Sequence, residues 1–521
     1  MGSVGTGPAD RALQLARLSS QAWDLAIVGG GATGLGLALD AVLRGYRVAL
    51  VEAHDFAQGA SSRSTKLLHG GVRYLAQGRL GLVRQALRER AIVLANAPGL
   101  CRPLSFVVPV YSGWDRVRYG LGLSAYALLA GARSLGPTQW LDAGETLRAL
   151  PAVKRAGLRG GIRYWDAQFD DAPLAVALAR SAAREGAVVL NHLAARAFAY
   201  EDGRVVGVAC ADAQTGRGHT LRARCVVNAA GAWADAVRAL EPAGAGDAFE
   251  ARLRPSRGSH LVLPSECLAS DEALLVPSTR DGRVLFAIPW EGRLLAGTTD
   301  VPCDGPQDAP EPSPDEVDFI LGELARYLER PPVRADIVSQ WSGLRPLVRP
   351  QARGMASASI SREHDIAIGP SGLVTVTGGK WTTYRVIADD VVRACVRAGL
   401  LQARGDCRTA DYRLTGGGAG PDLGADGVGA GDAHDMADVV DRTGGDALGP
   451  GLTEARVRFA VHQEFAQTVE DVLARRVRLL FTDARAALAC APRVAQVLAA
   501  EGIAEPRLAA FQALAAHYLP R

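Results

Sequence analysis

The stretch Asp24-Leu-Ala-Ile-Val28-Gly29-Gly30-Gly31-Ala32-Thr33-Gly34-Leu35-Gly36 decides the fold. Residues 24–28 form a short apolar run of the kind that makes a buried strand. The glycines follow at once, and an apolar helix is predicted over 35–43. Gly45 stops that helix, and 47–52 reads as a second strand. Together they make one β-α-β unit. Gly29, Gly31 and Gly34 have the GxGxxG spacing, and each has a physical task. Gly29 permits a tight turn, Gly31 lets backbone approach a pyrophosphate, and Gly34 lets the helix pack close on the strand. The helix start at Ala32 and Thr33 turns free N–H groups and a positive dipole end toward the phosphates. Glu52, ending the second strand, is placed to accept from ribose hydroxyls; its charge disfavours a 2′-phosphate. The spacing identifies a dinucleotide but not which one. A single N-terminal copy favours FAD with electrons passed elsewhere, or an NAD enzyme.

The chain around this unit has 521 residues, enough for about three domains. It is 48% hydrophobic and 22% charged, which excludes wholesale disorder. A net charge of +3 gives no reason to expect a nucleic acid partner. The eight cysteines form no Cys-x-x-Cys pair, which suits reduced thiols in a cytosolic protein and offers no metal-ligand spacing. No metal site is expected. Residues 1–22 lack the apolar core of a signal peptide, and no apolar run reaches 18 residues. The longest, 119–132, lies between Arg118 and Arg133; it is expected to be a buried helix, with a membrane-surface contact as the alternative. Only Lys66, Lys154 and Lys380 are lysine among 58 basic residues. Where nearly every cation is arginine, a retained lysine calls for a reason.

The predicted organisation is an N-terminal extension (1–22), a discontinuous dinucleotide-binding domain (23–80, 155–235 and 340–400) and a substrate-binding domain (81–154 and 236–339). A Gly/Asp-rich linker (401–452) and a helical C-terminal domain (453–521) follow. The inserted domain is expected to hold a mixed or antiparallel sheet, because 259–263, 283–288 and 294–298 alternate like strands.

Beyond the fingerprint comes Ser61-Ser62-Arg63-Ser64-Thr65-Lys66-Leu67-Leu68-His69-Gly70-Gly71-Val72-Arg73-Tyr74. Hydroxyls beside a dinucleotide site can bind phosphate or the sugar chain, and glycines let backbone approach a flat ring. His69 can act as a base and Arg73 as an anion clamp. A polar loop with a satisfied histidine explains the same residues equally well. This segment, taken with 29–52, closely resembles FAD-dependent glycerol-3-phosphate dehydrogenases of the aerobic, quinone-linked type. Further segments match in order: Trp165-Asp-Ala-Gln-Phe-Asp-Asp171, Val227-Asn-Ala-Ala-Gly-Ala-Trp233, Arg257-Gly-Ser-His260, Phe286-Ala-Ile-Pro-Trp290, Gly297-Thr-Thr-Asp300, Ser342-Gly-Leu-Arg-Pro346, Ser361-Arg-Glu-His364 and Thr377-Gly-Gly-Lys-Trp-Thr-Thr-Tyr-Arg385.

The resemblance implies an α/β fold: a Rossmann-like FAD-binding domain with an inserted mixed or antiparallel sheet, of the glutathione-reductase/D-amino-acid-oxidase kind, plus a small α-helical C-terminal domain. It implies FAD as cofactor and oxidation of sn-glycerol 3-phosphate to dihydroxyacetone phosphate, the C2 hydride going to flavin N5. It places the cofactor on Gly29, Gly31, Ala32, Thr33, Gly34, Glu52, Ser61, Ser62, Ser64, Thr65, Lys66, Leu67, His69, Gly70, Ala229, Gly231, Gly379, Trp381 and Thr382. A small dianion needs several cations and one base; Arg73, Arg345 and Lys380 are the candidate cations. Tyr74 and His260 are further candidate substrate contacts. His69 is the first choice for the base and His260 the second. Ala194 to Phe198 is a candidate adenine edge. Asp170 and Asp171 are expected to cap a helix.

Quinone is the expected acceptor, with a peripheral site on the cytoplasmic face of the inner membrane and Arg475, Arg476 and Arg478 as one basic cluster that touches lipid or pairs with the protein body. Oxygen as acceptor, or a related amine or hydroxy-acid oxidase on the same fold, is the alternative. A homodimer is a further expectation.

Overall fold

The computed structural model describes residues 9–76, 78–242, 251–348, 364–417 and 445–520; the side chain of Arg73, three residues of the Ser361-Arg-Glu-His364 segment and most of the Gly/Asp-rich stretch lie outside them. Among these residues the chain builds two large sheets. The first has at its centre five parallel strands, in the order Val374–Thr377, Gly218–Asn228, Ala22–Val28, Val48–Val51 and Val188–Leu190. Helix Ala32–Leu43 connects Ala22–Val28 to Val48–Val51, as the fingerprint requires, and packs with helices Asp171–Arg184 and Tyr384–Arg397. Strands Leu193–Glu201 and Arg204–Asp212 add an antiparallel meander to Gly218–Asn228. On one face, Ile27 and Leu50 pack against Leu35, Leu178 and Val391 of the helices; on the other, Ala26, Val28, Ala49 and Val51 form a second cluster with the meander.

The second sheet is mostly antiparallel and has ten strands among the described residues. It includes Leu67–Leu68, Gly160–Phe169 and Ser339–Arg345, which fall within the ranges predicted for the nucleotide domain. They pair into the second sheet instead. Periodicity gives a strand's existence, but its sheet is chosen by long-range pairing. Helix Pro314–Ala325 covers one face; Ser313 and Glu316 cap it reciprocally, with Pro314 in its first turn.

The C-terminal part is helical, with Glu454–Glu464, Ala484–Ala500 and Leu508–Ala516 as its main elements. Its apolar residues Phe481, Val494 and Leu498 share one core with Ile162, Val262 and Trp341 of the second sheet. Residues 401–417 are not a linker: Leu401 and Leu414 are buried, and Asn96 donates to the Thr409 carbonyl.

Two further expectations are decided. The 119–132 run belongs to helix Gly113–Ala130, but that helix is not buried on both sides. Trp114, Val117, Arg118, Leu121, Ala125 and Leu128 fall on one outward stripe, with Trp114 77%, Leu121 64% and Leu128 82% exposed. For the predicted basic cluster, the structure selects the second of its two readings, pairing with the protein body. Arg475 and Arg476 are buried against Asp55, and Arg478 against Asp171. None is available to lipid. Their carboxylate partners lie more than 300 positions away in the chain.

Candidate active site

The fingerprint turn opens into a cleft of about 430 Å³. Gly29, Gly31, Ala32, Thr33, Glu52, Ser61, Ala229, Gly231, Gly379 and Trp381 all line it, as do Ala194, Ala195 and Arg196 from the predicted adenine edge. Gly34 lies behind the lining, where an added Cβ would overlap the Gly29 carbonyl oxygen. It sets the approach of helix to strand. Glu52 accepts from the N–H groups of Gly30 at 2.6 Å and His54 at 2.9 Å, which fixes its carboxylate at the cleft wall. At the helix start, the Ala32 N–H donates to the Ser61 hydroxyl at 3.0 Å.

Across the cleft, Gly378 and Gly379 have φ of +74° and +88°, a left-handed pair that strongly favours glycine. They deliver Lys380 and Trp381. The Trp381 indole N–H donates to the Ser61 carbonyl at 2.8 Å, tying this turn to the serine loop. Lys380 Nζ lies 3.9 Å from the centroid of the Tyr74 ring, so two predicted substrate residues meet. Thr382 is buried at the foot of the following helix and outside the lining. These features fit FAD: a long cleft, a glycine-floored turn at a helix N-terminus, an acidic residue at the second strand, and a second glycine turn facing it. Gly34→Ala is therefore expected to yield folded protein that loses FAD on gel filtration. Retention of a stoichiometric flavin spectrum would count against the packing argument.

The serine loop is used differently from the prediction. Ser64 donates its hydroxyl to Asp171 at 2.7 Å, and Lys66 pairs with the same carboxylate at 2.6 Å. Leu67 sits in the core. Ser64, Lys66 and Leu67, predicted as cofactor residues, are tied to Asp171 or packed in the core and do not line the cleft. Ser62 is buried, and its carbonyl accepts from Lys66 and Arg478. Asp171 opens helix Asp171–Arg184 but is no simple cap: it is a buried carboxylate holding Lys66, Arg478 and Ser64. Asp170 occupies the N-cap position without a side-chain capping bond. The Gly70 N–H donates to the Tyr126 hydroxyl at 2.7 Å, which anchors the turn after His69. His69 is half-buried in that turn.

Three sequence motifs converge on neighbouring strands. His260 pairs with Trp341 and Gly297, and Arg345 pairs with Ser256. The Arg345 guanidinium is forked between Asp300, at 3.2 Å, and the Thr298 hydroxyl, at 2.9 Å, and lies over Gly258. Pro346, its neighbour, lines the cleft. Asp300 and Thr298 had been quoted only as part of a motif; no local signal says that they orient Arg345. His260 is buried and stacked on Trp341, with Nε2 3.0 Å from the Thr65 hydroxyl and Nδ1 without a hydrogen-bond partner among the described residues. Burial, and then the charges of Lys66 and Arg345, hold its pKa well below the usual value. The imidazole is neutral at neutral pH.

A separate cluster, Asp55, His192 and Asp471, brings three potential metal ligands together. Its charge is already balanced: Arg475 and Arg476 pair with Asp55, and His192 lies 2.8 Å from Asp471. It is an ion-pair network that locks the C-terminal helices to the nucleotide domain.

The fold and cleft together define an FAD-dependent oxidoreductase. The family described as FAD dependent oxidoreductase matches residues 24–385, and the C-terminal domain of alpha-glycerophosphate oxidase matches 433–503. The mitochondrial glycerol-3-phosphate dehydrogenase SDP6 of Arabidopsis thaliana is 38% identical, covering 96% of this chain and 86% of that protein. The mitochondrial glycerol-3-phosphate dehydrogenase of Homo sapiens is also 38% identical, over 96% of this chain and 73% of its own. Among solved structures, the Bacillus halodurans glycerol-3-phosphate dehydrogenase complexed with FAD superposes with a TM-score of 0.76 at 28% identity, covering 99% of this chain and 98% of that one. The chain belongs to the family of FAD-dependent glycerol-3-phosphate dehydrogenases.

Proposed function

We propose that this chain oxidises sn-glycerol 3-phosphate to dihydroxyacetone phosphate and passes the electrons to a membrane quinone. The observation that carries this is the set Arg345, Lys380 and His260: Lys380 lines the dinucleotide cleft, Arg345 precedes Pro346 of the lining, and the buried, neutral His260 lies on the strand paired with that of Arg345. FAD, when bound, supplies the acceptor for the C2 hydride. Arg345, oriented by Asp300 and Thr298, grips the substrate phosphate through its planar fork. Lys380 adds a compact charge beside Tyr74; Arg73 is a further candidate cation by its sequence motif alone. His260 Nδ1 takes the C2 hydroxyl proton, an assignment that rests on its neutral imidazole and on an Nδ1 that makes no hydrogen bond among the described residues. Flavin reduction by glycerol 3-phosphate that is lost in His260→Gln but kept in His69→Asn supports this assignment, and the reverse result moves the base to His69. After anaerobic reduction, fast reoxidation by a short-chain quinone and slow reoxidation by oxygen is expected; the opposite order makes the chain an oxidase.

A quinone acceptor places the protein at a bilayer, peripherally, on the cytoplasmic face of the inner membrane. No helix among the described residues is long and apolar enough to cross a membrane. What supports a surface contact is the outward stripe of helix Gly113–Ala130, with Arg118 within it, Arg133 just beyond its end and exposed Arg84 and Arg88 on helix Leu80–Asn96. An apolar stripe with arginines suits insertion at the headgroup level of anionic lipid. Leu121→Glu combined with Leu128→Glu is expected to abolish co-sedimentation with anionic vesicles while leaving dye-linked turnover intact. Unchanged sedimentation would assign membrane contact to another face.

A further inference from the structure

Lys66 is one of three lysines among 58 basic residues, and the proposed reaction does not use it. Its side chain has no exposed surface. Nζ donates to Asp171 at 2.6 Å and to the Ser62 carbonyl at 2.9 Å. It also lies over three rings: Trp341 at 4.7 Å, Trp290 at 5.3 Å and Phe481 at 5.5 Å. Such a pocket takes a compact ammonium on aromatic faces. Trp341 in turn stacks on His260, with ring centroids 4.2 Å apart and planes at 21°. The residue before Lys66 is Thr65, whose hydroxyl meets His260 Nε2. Lys66 therefore reaches His260 by two routes, through charge across Trp341 and through the backbone that carries Thr65.

We infer that Lys66 is a positioning residue for the proposed base: its buried ammonium, locked by Asp171, keeps the His260 imidazole unprotonated and holds the Thr65 hydroxyl against Nε2–H, leaving the lone pair on Nδ1 to accept the substrate proton. This rests on His260 being the base. Among the described residues, the charged groups around the pair are these. Lys66 and Arg345 face His260; Asp171, Asp170 and Arg478 surround Lys66; Asp300 partners Arg345. Both charges facing the imidazole are positive, which disfavours imidazolium. Burial lowers the Lys66 pKa to about 7, with Asp171 opposing that fall. Lys66 is thus still charged in the more acid range where His260 would gain its proton. Removing the ammonium leaves Asp171 held by Arg478 at 3.1 Å, and His260 then protonates at higher pH.

The test uses the FAD-loaded enzyme and two readouts. The first is the rate of anaerobic flavin reduction by glycerol 3-phosphate from about pH 5 to about pH 9. The second, independent of turnover, is the midpoint of the His260 signal in ¹³C-histidine NMR, assigned by its loss in His260→Gln. Lys66→Met is expected to raise both the acid limb and the NMR midpoint by about one pH unit or more. Thr65→Val is expected to slow reduction across the whole range without shifting the melting temperature. If Lys66→Met does not fold, Lys66→Gln removes the charge while keeping a polar partner for Asp171, and the NMR midpoint should still rise. An unchanged midpoint in either Lys66 variant overturns the inference. Parent-rate reduction by His260→Gln instead overturns the base assignment on which it rests, and the NMR midpoint tells the two failures apart.

Discussion

Arg345→Ala is expected to bind FAD normally and to lose flavin reduction by glycerol 3-phosphate by roughly a thousandfold in the second-order rate constant, about 4 kcal/mol. The guanidinium is pre-set by Asp300 and Thr298, so little ordering is left to be done when a phosphate arrives. Its removal costs the charged, forked hydrogen bonds and leaves Asp300 repelling the incoming dianion. Arg345→Lys should recover only part of the loss, since an ammonium cannot reproduce two parallel donors. The measurement is anaerobic stopped flow across substrate concentration. Parent-like reduction by Arg345→Ala would remove Arg345 from the phosphate site.

Asp55→Ala is expected to destabilise the protein by about 3–5 kcal/mol, because it leaves the buried Arg476 guanidinium without its carboxylate and takes one of three from Arg475. Arg475 and Arg476 both end on Asp55, and His192, Asp471 and Asn191 complete the network. These contacts join the C-terminal helices to the nucleotide domain, so the loss should appear as detachment of those helices in denaturant melts. The same network gives a pH dependence. Burial opposes the charged form of Asp55 and Asp471, but Arg476 and Arg475 at the one and His192 and both arginines at the other pull each pKa below the ordinary aspartate value. A carboxylate whose pKa is depressed in the folded state contributes stability that is present above its unfolded pKa, about 4, and is lost as pH falls through the folded one. Denaturation free energies should therefore fall below about pH 4 in the parent and less steeply in Asp55→Ala. Equal slopes would show that the network does not carry the acid sensitivity.

What the sequence made legible is local. The turn at Gly29 to Gly34, the helix behind it and Glu52 lie within one β-α-β unit, where spacing dictates geometry. The glycine turn before Lys380 is local in the same way. What stayed hidden depends on partners far apart in the chain. Lys66 stood out as a rare lysine, but Asp171 lies 105 positions on, so its ion pair could not be read from spacing. Arg475 and Arg476 read as a basic cluster open to lipid or to the protein body until Asp55, 420 residues away, was brought to them. Residues 165–171 and 342–346 read only as motifs within the nucleotide domain, yet they fall in or beside strands Gly160–Phe169 and Ser339–Arg345 of the second sheet. Helix Gly113–Ala130 is apolar on both sides, with Leu123 and Tyr126 inward and Leu121 and Leu128 outward, so composition alone suggested full burial.

The central claim is that this cleft reduces its flavin with glycerol 3-phosphate. The direct measurement is anaerobic mixing of the FAD-loaded protein with glycerol 3-phosphate while flavin absorbance is followed, alongside glycine, proline and 2-hydroxy acids. Rapid bleaching by glycerol 3-phosphate alone is the expected result. A flavin that is reduced by dithionite but not by glycerol 3-phosphate, or that bleaches with an amino acid instead, would contradict the account.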